Sequence, residues 1–341
     1  MRNWTMKARA LPGLLLTAAV LLATAGCEWP PQETEQVGYR GVAMELVTSP
    51  ETIAENAELH EVPEPQPPAT TDGPKARDVY QNVQVLGDLS VGEFTRLMLA
   101  ITEWVSPEQG CNYCHVGENF ADDSLYTKTV SRNMLQMNLD INGNWQDHVK
   151  QTGVTCYTCH RGQNVPGEIW FEKPPRDSAG GFTADNGYQN MAGMESVAYS
   201  SLPGDPFETF LEGYEQVRVI GESALPRKND VGASIQATEY TYGLMMHMST
   251  SLGVNCTYCH NSRAFSVWEQ STPMRLNSWY GVTMVRELNN EWLEPLQPVY
   301  PEKRLGPTGD APKANCATCH RGVNKPLNGQ SMLPDYPNLA P

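Results

Sequence analysis

The chain carries the stretch Cys111-Asn112-Tyr113-Cys114-His115, and the same Cys-x-x-Cys-His spacing recurs three more times. This spacing is the attachment signature of c-type haem. Each thiol adds across one haem vinyl group, and the following histidine becomes a ligand of the iron. Together the four motifs use eight of the nine cysteines and predict four covalently bound haems. Motifs two to four are Cys156-Tyr157-Thr158-Cys159-His160, Cys256-Thr257-Tyr258-Cys259-His260 and Cys316-Ala317-Thr318-Cys319-His320.

Zinc binding and a disulfide framework are the alternative interpretations of so many paired cysteines. Zinc sites usually combine two Cys-x-x-Cys pairs or add a distant pair of histidines. Neither alternative explains a histidine directly after the second cysteine in all four places. Covalent haem therefore accounts for more of the pattern.

The ninth cysteine, Cys27, follows a segment with the features of an export signal. Three basic residues precede an apolar run over residues 10–25, and small residues lead up to Cys27. This order is typical of a signal peptide, and the cysteine resembles that of a bacterial lipobox, where the thiol is acylated and residues 1–26 are removed. Thr24 departs from the lipobox pattern, which usually has a larger aliphatic residue there. The alternative is an uncleaved anchor, although a spanning helix needs about 17–25 apolar residues.

The charge of the chain favours a basic protein partner and argues against nucleic acid. Formal net charge is −15, and removal of the three positive charges of residues 1–26 leaves −18. An acidic surface repels nucleic acid and speeds encounter with a basic protein. The simpler interpretation is that the acidic residues keep an exported protein soluble.

Motif spacing and composition divide the chain into segments, with two pairs of motifs as its centre. Motifs one and three share a tyrosine before the second cysteine, while motifs two and four share a threonine there and Arg-Gly after the histidine. The sequence Asn-Gly-Asn-Trp at 142–145 also matches Asn-Asn-Glu-Trp at 289–292. These matches predict duplication of a two-haem unit. The predicted segments are a signal or anchor (1–26), an extended Pro-rich strap (27–75), a first di-haem unit (76–173), a connecting segment (174–230), a second di-haem unit (231–325) and a C-terminal tail (326–341).

The predicted fold is mainly α with much irregular loop. Apolar residues in 94–105 keep helical spacing, and Pro107 and Gly110 end that helix before motif one. Each unit is then expected to be a helix, a turn and a short helical Cys-x-x-Cys-His segment around one haem. The porphyrins would supply much of the apolar core.

The sixth iron ligands cannot all be histidines. Only His60, His148 and His247 lie outside the motifs, so at least one iron needs methionine or a rarer ligand. Met98, Met134 and Met245 precede motifs one, two and three on the adjacent predicted helices. Packing in the core is the commoner use of any single methionine.

Several ligand assignments stay open on spacing alone. Met134 competes with Met137, and Met245 competes with Met246, His247 and Met248. Before motif four the second unit offers Met284, which precedes Cys316 by 32 residues. His148 has Pro295 as its counterpart in the second unit, which suggests a ligand lent to the fourth haem, although a surface His148 fits the residues equally well.

The arrangement resembles the tetrahaem cytochrome subunit of the purple-bacterial photosynthetic reaction centre. The resemblance rests on the paired motifs, Cys27 and the runs 103–115, 151–162 and 251–260, and it covers roughly residues 76–341. It implies three haems with His/Met ligation and a fourth with two histidines. It also implies that Arg275 lies beside the third haem and raises its potential. The implied iron ligand pairs are Met98 with His115, Met134 with His160, Met245 with His260, and His148 with His320.

The resemblance further implies an electron carrier and not an enzyme. Such a subunit lies on the periplasmic face of the photosynthetic inner membrane, against the bacteriochlorophyll-carrying core and near the light-harvesting ring. It re-reduces the special pair and takes electrons from a soluble cytochrome c or high-potential iron–sulfur protein. The alternatives are a subunit of a periplasmic respiratory reductase, which needs an open iron position, and a quinol dehydrogenase with low-potential haems.

The lipobox interpretation predicts that Cys27→Ser blocks acylation and leaves the signal uncut. Intact-mass spectrometry should then show a longer, unlipidated N-terminus than in the unaltered protein. Detection of an unmodified Met1 in the unaltered protein would favour the uncleaved anchor instead.

Overall fold

A computed structural model describes residues 31–174, 206–219 and 235–341. Cys27, the predicted signal and most of the predicted connecting segment lie outside the described residues. About half of the described residues are helical and much of the rest is loop, which confirms the mainly α class. Within these ranges no helix is long and apolar enough to span a bilayer.

The regular elements are nine described α-helices and one two-stranded sheet. Strands β1 (Glu33–Gln36) and β2 (Glu45–Thr48) pair antiparallel, with Glu33 opposite Thr48. The helices are α1 (Pro50–Glu55), α2 (Ala76–Val79), α3 (Val91–Val105), α4 (Tyr126–Asn144), α5 (Gln146–Val149), α6 (Cys156–His160), α7 (Ile235–Leu252), α8 (Pro273–Glu287) and α9 (Cys316–His320). Two π-helices are Glu208–Glu212 and Leu288–Leu293. Short 3-10 turns are Ala57–His60, Gly110–Tyr113, Cys256–Tyr258, Trp268–Gln270, Glu294–Val299, Glu302–Arg304, Pro326–Gly329 and Pro337–Leu339.

Helix α3 begins with a reciprocal cap and ends where the sequence predicts. The Ser90 hydroxyl accepts from the Glu93 backbone N–H at 3.1 Å, and the Glu93 carboxylate accepts from the Ser90 N–H at 3.0 Å. This capping box satisfies two backbone donors that a helix start leaves free. The helix stops at Val105, two residues before Pro107.

One apolar cluster closes around α3. Leu97, Ala100 and Trp104 are buried there against Tyr336 and Leu339. The Trp104 and Tyr336 rings meet edge to face at 4.7 Å. The segment predicted as a C-terminal tail therefore supplies one wall of the core of the first helix.

The second apolar cluster joins both halves of the chain. Ile141 of α4 is buried with Leu244 of α7, Val282 of α8 and Phe210 of the π-helix. Met284 belongs to this cluster and is 6% exposed. Its burial gives Met284 a packing role.

The strap contacts residues near several motifs as it crosses the molecule. Val47 on β2 donates to the Asn255 side chain at 2.9 Å, next to motif three. His60 then contacts the Arg321 carbonyl at 3.2 Å, next to motif four. Further on, the Gln66 backbone N–H donates to the Tyr336 hydroxyl at 2.9 Å.

Two buried asparagines hold the backbone just before motifs two and four. At the end of α4, the Asn142 amide accepts from the Val154 N–H at 2.8 Å and donates to the Val154 carbonyl at 2.9 Å. Asn289 does the same to Ala314, at 2.8 and 3.0 Å. Each asparagine is 0% exposed. The pairs are matched, since Val154 and Ala314 each stand two residues before the first cysteine.

A buried lysine cluster fixes the chain before motif four. The Lys313 side chain is 0% exposed, and its Nζ lies 2.8 Å from Asp310, 3.2 Å from Glu294 and 3.6 Å from Glu172. Burial raises the pKa of Asp310, but hydrogen bonds led by that from Lys313 outweigh it and lower that pKa. The backbone of Lys313 also exchanges two 3.0 Å hydrogen bonds with Trp170.

Replacement of Lys313 by methionine should strongly destabilise the fold. The carboxylates around its ammonium would then face one another without a counter-charge, and loss of one partner of a buried pair costs about 3–5 kcal/mol. Denaturant unfolding of the holoprotein should show this loss. Lys325→Met is the control, because Lys325 is exposed and such changes stay within about 0.5 kcal/mol. Equal stability of the two variants would contradict the role of Lys313.

Candidate haem sites

The eight thiols alternate in local structure between odd and even motifs. Motifs one and three begin in 3-10 turns, whereas motifs two and four are the short helices α6 and α9. The first cysteines of the odd motifs, Cys111 and Cys256, are exposed. Burial raises the pKa of the Cys156 and Cys316 thiols to about 12, so both are protonated before attachment. Covalent haem requires two thiols for its vinyl groups and an adjacent imidazole for its iron, and each motif provides these groups.

All four motif histidines are held in one orientation. Each Nδ1 lies within hydrogen-bond distance of a backbone carbonyl, which can only accept, so Nδ1 carries the proton. Nε2 is then left with its lone pair for a metal. The partners are Phe120 for His115 at 3.2 Å, Gln163 for His160 at 2.8 Å, Phe265 for His260 at 2.8 Å and Val323 for His320 at 2.9 Å.

His148 shares this orientation and faces a motif histidine. Its Nδ1 lies 3.0 Å from the Asn277 carbonyl of α8. Its ring centroid is 6.0 Å from that of His320. If both imidazoles bound one metal ion through bonds of about 2 Å, their ring centroids would be separated by a similar distance. Burial lowers the pKa of His320 to about 4 and also lowers that of His148, so both rings are neutral at pH 7.

The other two spare histidines have different surroundings. The two ring nitrogens of His60 face the Arg321 carbonyl at 3.2 Å and the Arg161 guanidinium at 3.5 Å. The His247 ring packs on Phe207 at 4.5 Å and lies beside the Ser251 hydroxyl. Neither ring has the carbonyl-held Nδ1 of the other five.

Met98 and Met245 occupy equivalent places on α3 and α7. The Trp104 carbonyl of α3 accepts from the Gly162 N–H at 2.8 Å, and the Ser251 carbonyl of α7 accepts from the Gly322 N–H at 2.8 Å. Met98 stands six residues before Trp104, and Met245 stands six before Ser251. The matched contact thus favours Met245 over its neighbours.

Met134 and Met137 differ in what they contact. Met137 packs against the buried cluster that contains Ile141 and Met284. Met134 belongs to neither apolar cluster of the described residues. Met137 thus has a packing role that Met134 lacks. Met245 packs against the same cluster, so such packing does not by itself exclude a ligand.

Each odd motif has a cation on the helix that follows it. Lys128 of α4 is 6% exposed and donates from Nζ to the Phe120 carbonyl at 2.7 Å. Arg275 of α8 lies over the Trp268 ring at 4.3 Å. Burial comes first in lowering the pKa of His115 and of His260, and Lys128 and Arg275 respectively lower them further.

Motifs two and four are direct neighbours. The Cys159 and Cys319 sulfurs are 2.7 Å apart, and the Arg161 guanidinium donates to the Cys319 carbonyl at 3.1 Å. Arg161 and Arg321 both turn into the left-handed region, with φ of 51° and 53°. The two attachment segments thus meet back to back.

A family model described as the photosynthetic reaction centre cytochrome C subunit matches residues 28–340. The chain belongs to this family. It is 53% identical over 326 residues to the photosynthetic reaction center cytochrome c subunit of Rubrivivax gelatinosus, which covers 96% of this chain and 88% of that protein. It is 49% identical over 330 residues to the subunit of Thermochromatium tepidum, covering 96% and 80%. Cytochrome c-554 of Chloroflexus aurantiacus is 28% identical over 298 residues, covering 72% and 69%.

Membership confirms the predicted family and makes the chain an electron-transfer cytochrome that binds haem covalently. It does not favour the reductase or quinol dehydrogenase alternatives. Sequence reasoning missed Lys128 and the Asn277 carbonyl, and it matched Asn142 with Asn289 without predicting their contacts to the backbone. The fixed spacing between the two Asn…Trp matches could have revealed Lys128, because the same offset of 147 residues carries Lys128 onto Arg275 and Asn142 onto Asn289.

The ligand assignment predicts that Met98→Leu or Met134→Leu lowers one of the haem midpoint potentials. A thioether ligand raises potential relative to its replacement, and axial ligands span about 0.8 V, so we expect a shift on the order of 0.1 V. A spectroelectrochemical titration of the holoprotein resolves this. Met137→Leu is the matched control on the same helix and should leave every midpoint in place. Unchanged midpoints in the first two variants would show that those methionines do not bind iron.

Proposed function

We propose that the chain is tethered to the periplasmic face of the photosynthetic membrane and carries electrons from a soluble donor to the special pair of a reaction centre. The observation that carries this proposal is the set of carbonyl-held imidazoles and paired thiols within a member of the reaction-centre cytochrome family. When bound, haem supplies a one-electron Fe(III)/Fe(II) couple. In this proposal the protein makes and breaks no bonds of a substrate.

Four haems with the ligand pairs given above fit the described geometry. The Met98 and Met245 match supports two thioether ligands, and the separation of Met134 from the core supports a third. His148 opposite His320 supports a bis-histidine fourth site. The thioethers would raise the potentials of the first three haems above the fourth. Arg275 would raise the third further, since a nearby cation disfavours the oxidised iron.

Duplication of a di-haem unit is supported by matched contacts. In each half, an asparagine at a helix end holds the chain before the second motif, and a glycine N–H after that motif bonds to the helix before the first. Unit boundaries near 76–173 and 231–325, with strap 27–75, connecting segment 174–230 and tail 326–341, remain our proposal.

We propose that the four haems lie in the linear order one, two, four and three, and the same contacts support this order. Gly162 ties motif two to the helix before motif one, and Gly322 ties motif four to the helix before motif three. The 2.7 Å contact of Cys159 with Cys319 joins the pairs. Exposed thiols at Cys111 and Cys256 fit the two ends of such a row.

The tether supports placing motif three toward the membrane. Asn255, beside Cys256, bonds to Glu45 and Val47 of β2, and β2 pairs with β1. β1 begins six residues after Cys27, a length that spans at most about 22 Å. A lipid on Cys27 would therefore hold the third haem close to the membrane and to the special pair. The first haem would then face the periplasm and the donor.

The donor in this proposal is a protein with a basic face. The chain has a formal net charge of −15, which favours encounter with positive charge. A soluble cytochrome c and a high-potential iron–sulfur protein are both suitable one-electron carriers.

A flash of light on native membranes tests the function. We expect the flash to oxidise these haems within about a millisecond, because electron transfer within a docked complex needs no diffusional encounter. Re-reduction by the donor should slow roughly tenfold or more as salt rises, because the Debye length falls from about 30 Å at 0.01 M to about 8 Å at 0.15 M.

Membranes that lack the chain are the control and should show no haem oxidation. Absence of light-driven oxidation in native membranes would overturn the function. A re-reduction rate that is independent of salt concentration would overturn only the proposal that the donor has a basic face.

A further inference from the structure

Asn142 and Asn289 allow the residues of α4 to be aligned with those of α8. Asn142 and Asn289 make the same pair of bonds to Val154 and Ala314. Eight residues before Asn142 stands Met134, and eight residues before Asn289 stands Gly281. Cys114 near Ser131 and Cys259 near Ser278 keep the same register at the other end. The second unit therefore has glycine at the position that Met134 occupies in the first unit.

Gly281 is packed against the ring of His148. A Cβ built on Gly281 would lie 2.7 Å from His148 Cε1, 3.1 Å from Nδ1 and 3.2 Å from Nε2. An imidazole is rigid, so any side chain at 281 would require the ring to move. Glycine destabilises a helix interior relative to alanine. The close approach of the His148 ring explains why glycine occupies position 281.

The missing side chain also opens access to a carbonyl. Asn277 lies one turn before Gly281, and its carbonyl receives the His148 Nδ1 hydrogen bond at 3.0 Å. In an α-helix that carbonyl is the regular partner of the Gly281 N–H, so the ring reaches it across the surface of Gly281. This hydrogen bond leaves Nε2 as the free nitrogen, and the ring lies 6.0 Å from His320.

We propose that Gly281 is the positioning residue that selects histidine over methionine as the sixth ligand of the fourth haem. It removes the side chain that supplies the ligand in the first unit and makes space for a ring from the neighbouring unit. The Asn277 carbonyl then fixes the rotation and tautomer of that ring. This inference rests on the proposed ligation of the fourth haem by His148 and His320.

Gly281→Ala in the purified holoprotein tests the inference. The added methyl should displace His148, remove one bis-imidazole low-spin signal from the electron paramagnetic resonance spectrum of the oxidised protein, and shift one of the four midpoints. Gly92→Ala is the matched control on α3, where a Cβ would meet nothing closer than 3.4 Å. The control should leave the spectrum and every midpoint unchanged. A Gly281→Ala spectrum identical to that of the control would overturn the inference.

His148→Ala separates this inference from the ligation on which it rests. Loss of the bis-imidazole signal in His148→Ala, with no effect of Gly281→Ala, would overturn the role of Gly281 and leave the ligation standing. No spectral change in His148→Ala would overturn the ligation itself, and the inference with it.

The double variant Gly281→Met with His148→Ala covers the case in which Gly281→Ala does not fold. It restores at 281 the residue of the first unit and removes the ring it would strike. We expect one additional sulfur-to-iron(III) charge-transfer band and a rise of the lowest midpoint. Absence of the additional band in a folded double variant would overturn the equivalence of positions 134 and 281.

Discussion

The structure depends on two buried asparagine side chains that bond to the backbone ahead of motifs two and four. Asn142 and Asn289 use both the oxygen and the nitrogen of the amide, so each fixes one residue of the following chain in position and direction. An unpaired amide at such a buried place would be costly, and no apolar residue could replace it. Helix, loop and attachment segment therefore keep one geometry in each half, and Met134 on α4 and Gly281 on α8 stand at the same distance before these residues.

Much of the chemistry was predictable because attachment of haem demands adjacent residues. The Cys-x-x-Cys-His motifs, the helix before motif one and the alternation between motifs all depend on local sequence. The place of Met98 on a helix was predictable for the same reason, since that helix leads directly into motif one. The difference in packing between Met134 and Met137 was not predictable, because it depends on which face of α4 meets Leu244 and Met284 from distant parts of the chain.

Other features could not be predicted because they join segments far apart in the chain. The strap was predicted to be extended, and composition did not indicate that residues 33–36 and 45–48 pair as a hairpin or that this hairpin bonds to Asn255. Nothing in the local sequence distinguishes Lys313 from an ordinary surface lysine. Its burial depends on acidic residues contributed by three other segments. The packing of Gly281 was unpredictable for the same reason, since the ring that occupies the space beside it belongs to His148, which is distant in sequence.

The wall that the chain end builds against α3 has a consequence for how the protein folds. Trp104 is covered by Tyr336, and Asn142 donates to the Leu339 carbonyl at 2.7 Å, so residues of the first half contact residues about 200 positions later. A growing chain emerges from its N-terminus, so the first half leaves the ribosome long before these residues exist. Its core cannot close until residues 327–339 have been made. The first half of the chain to be made is therefore completed only when these late residues pack against it.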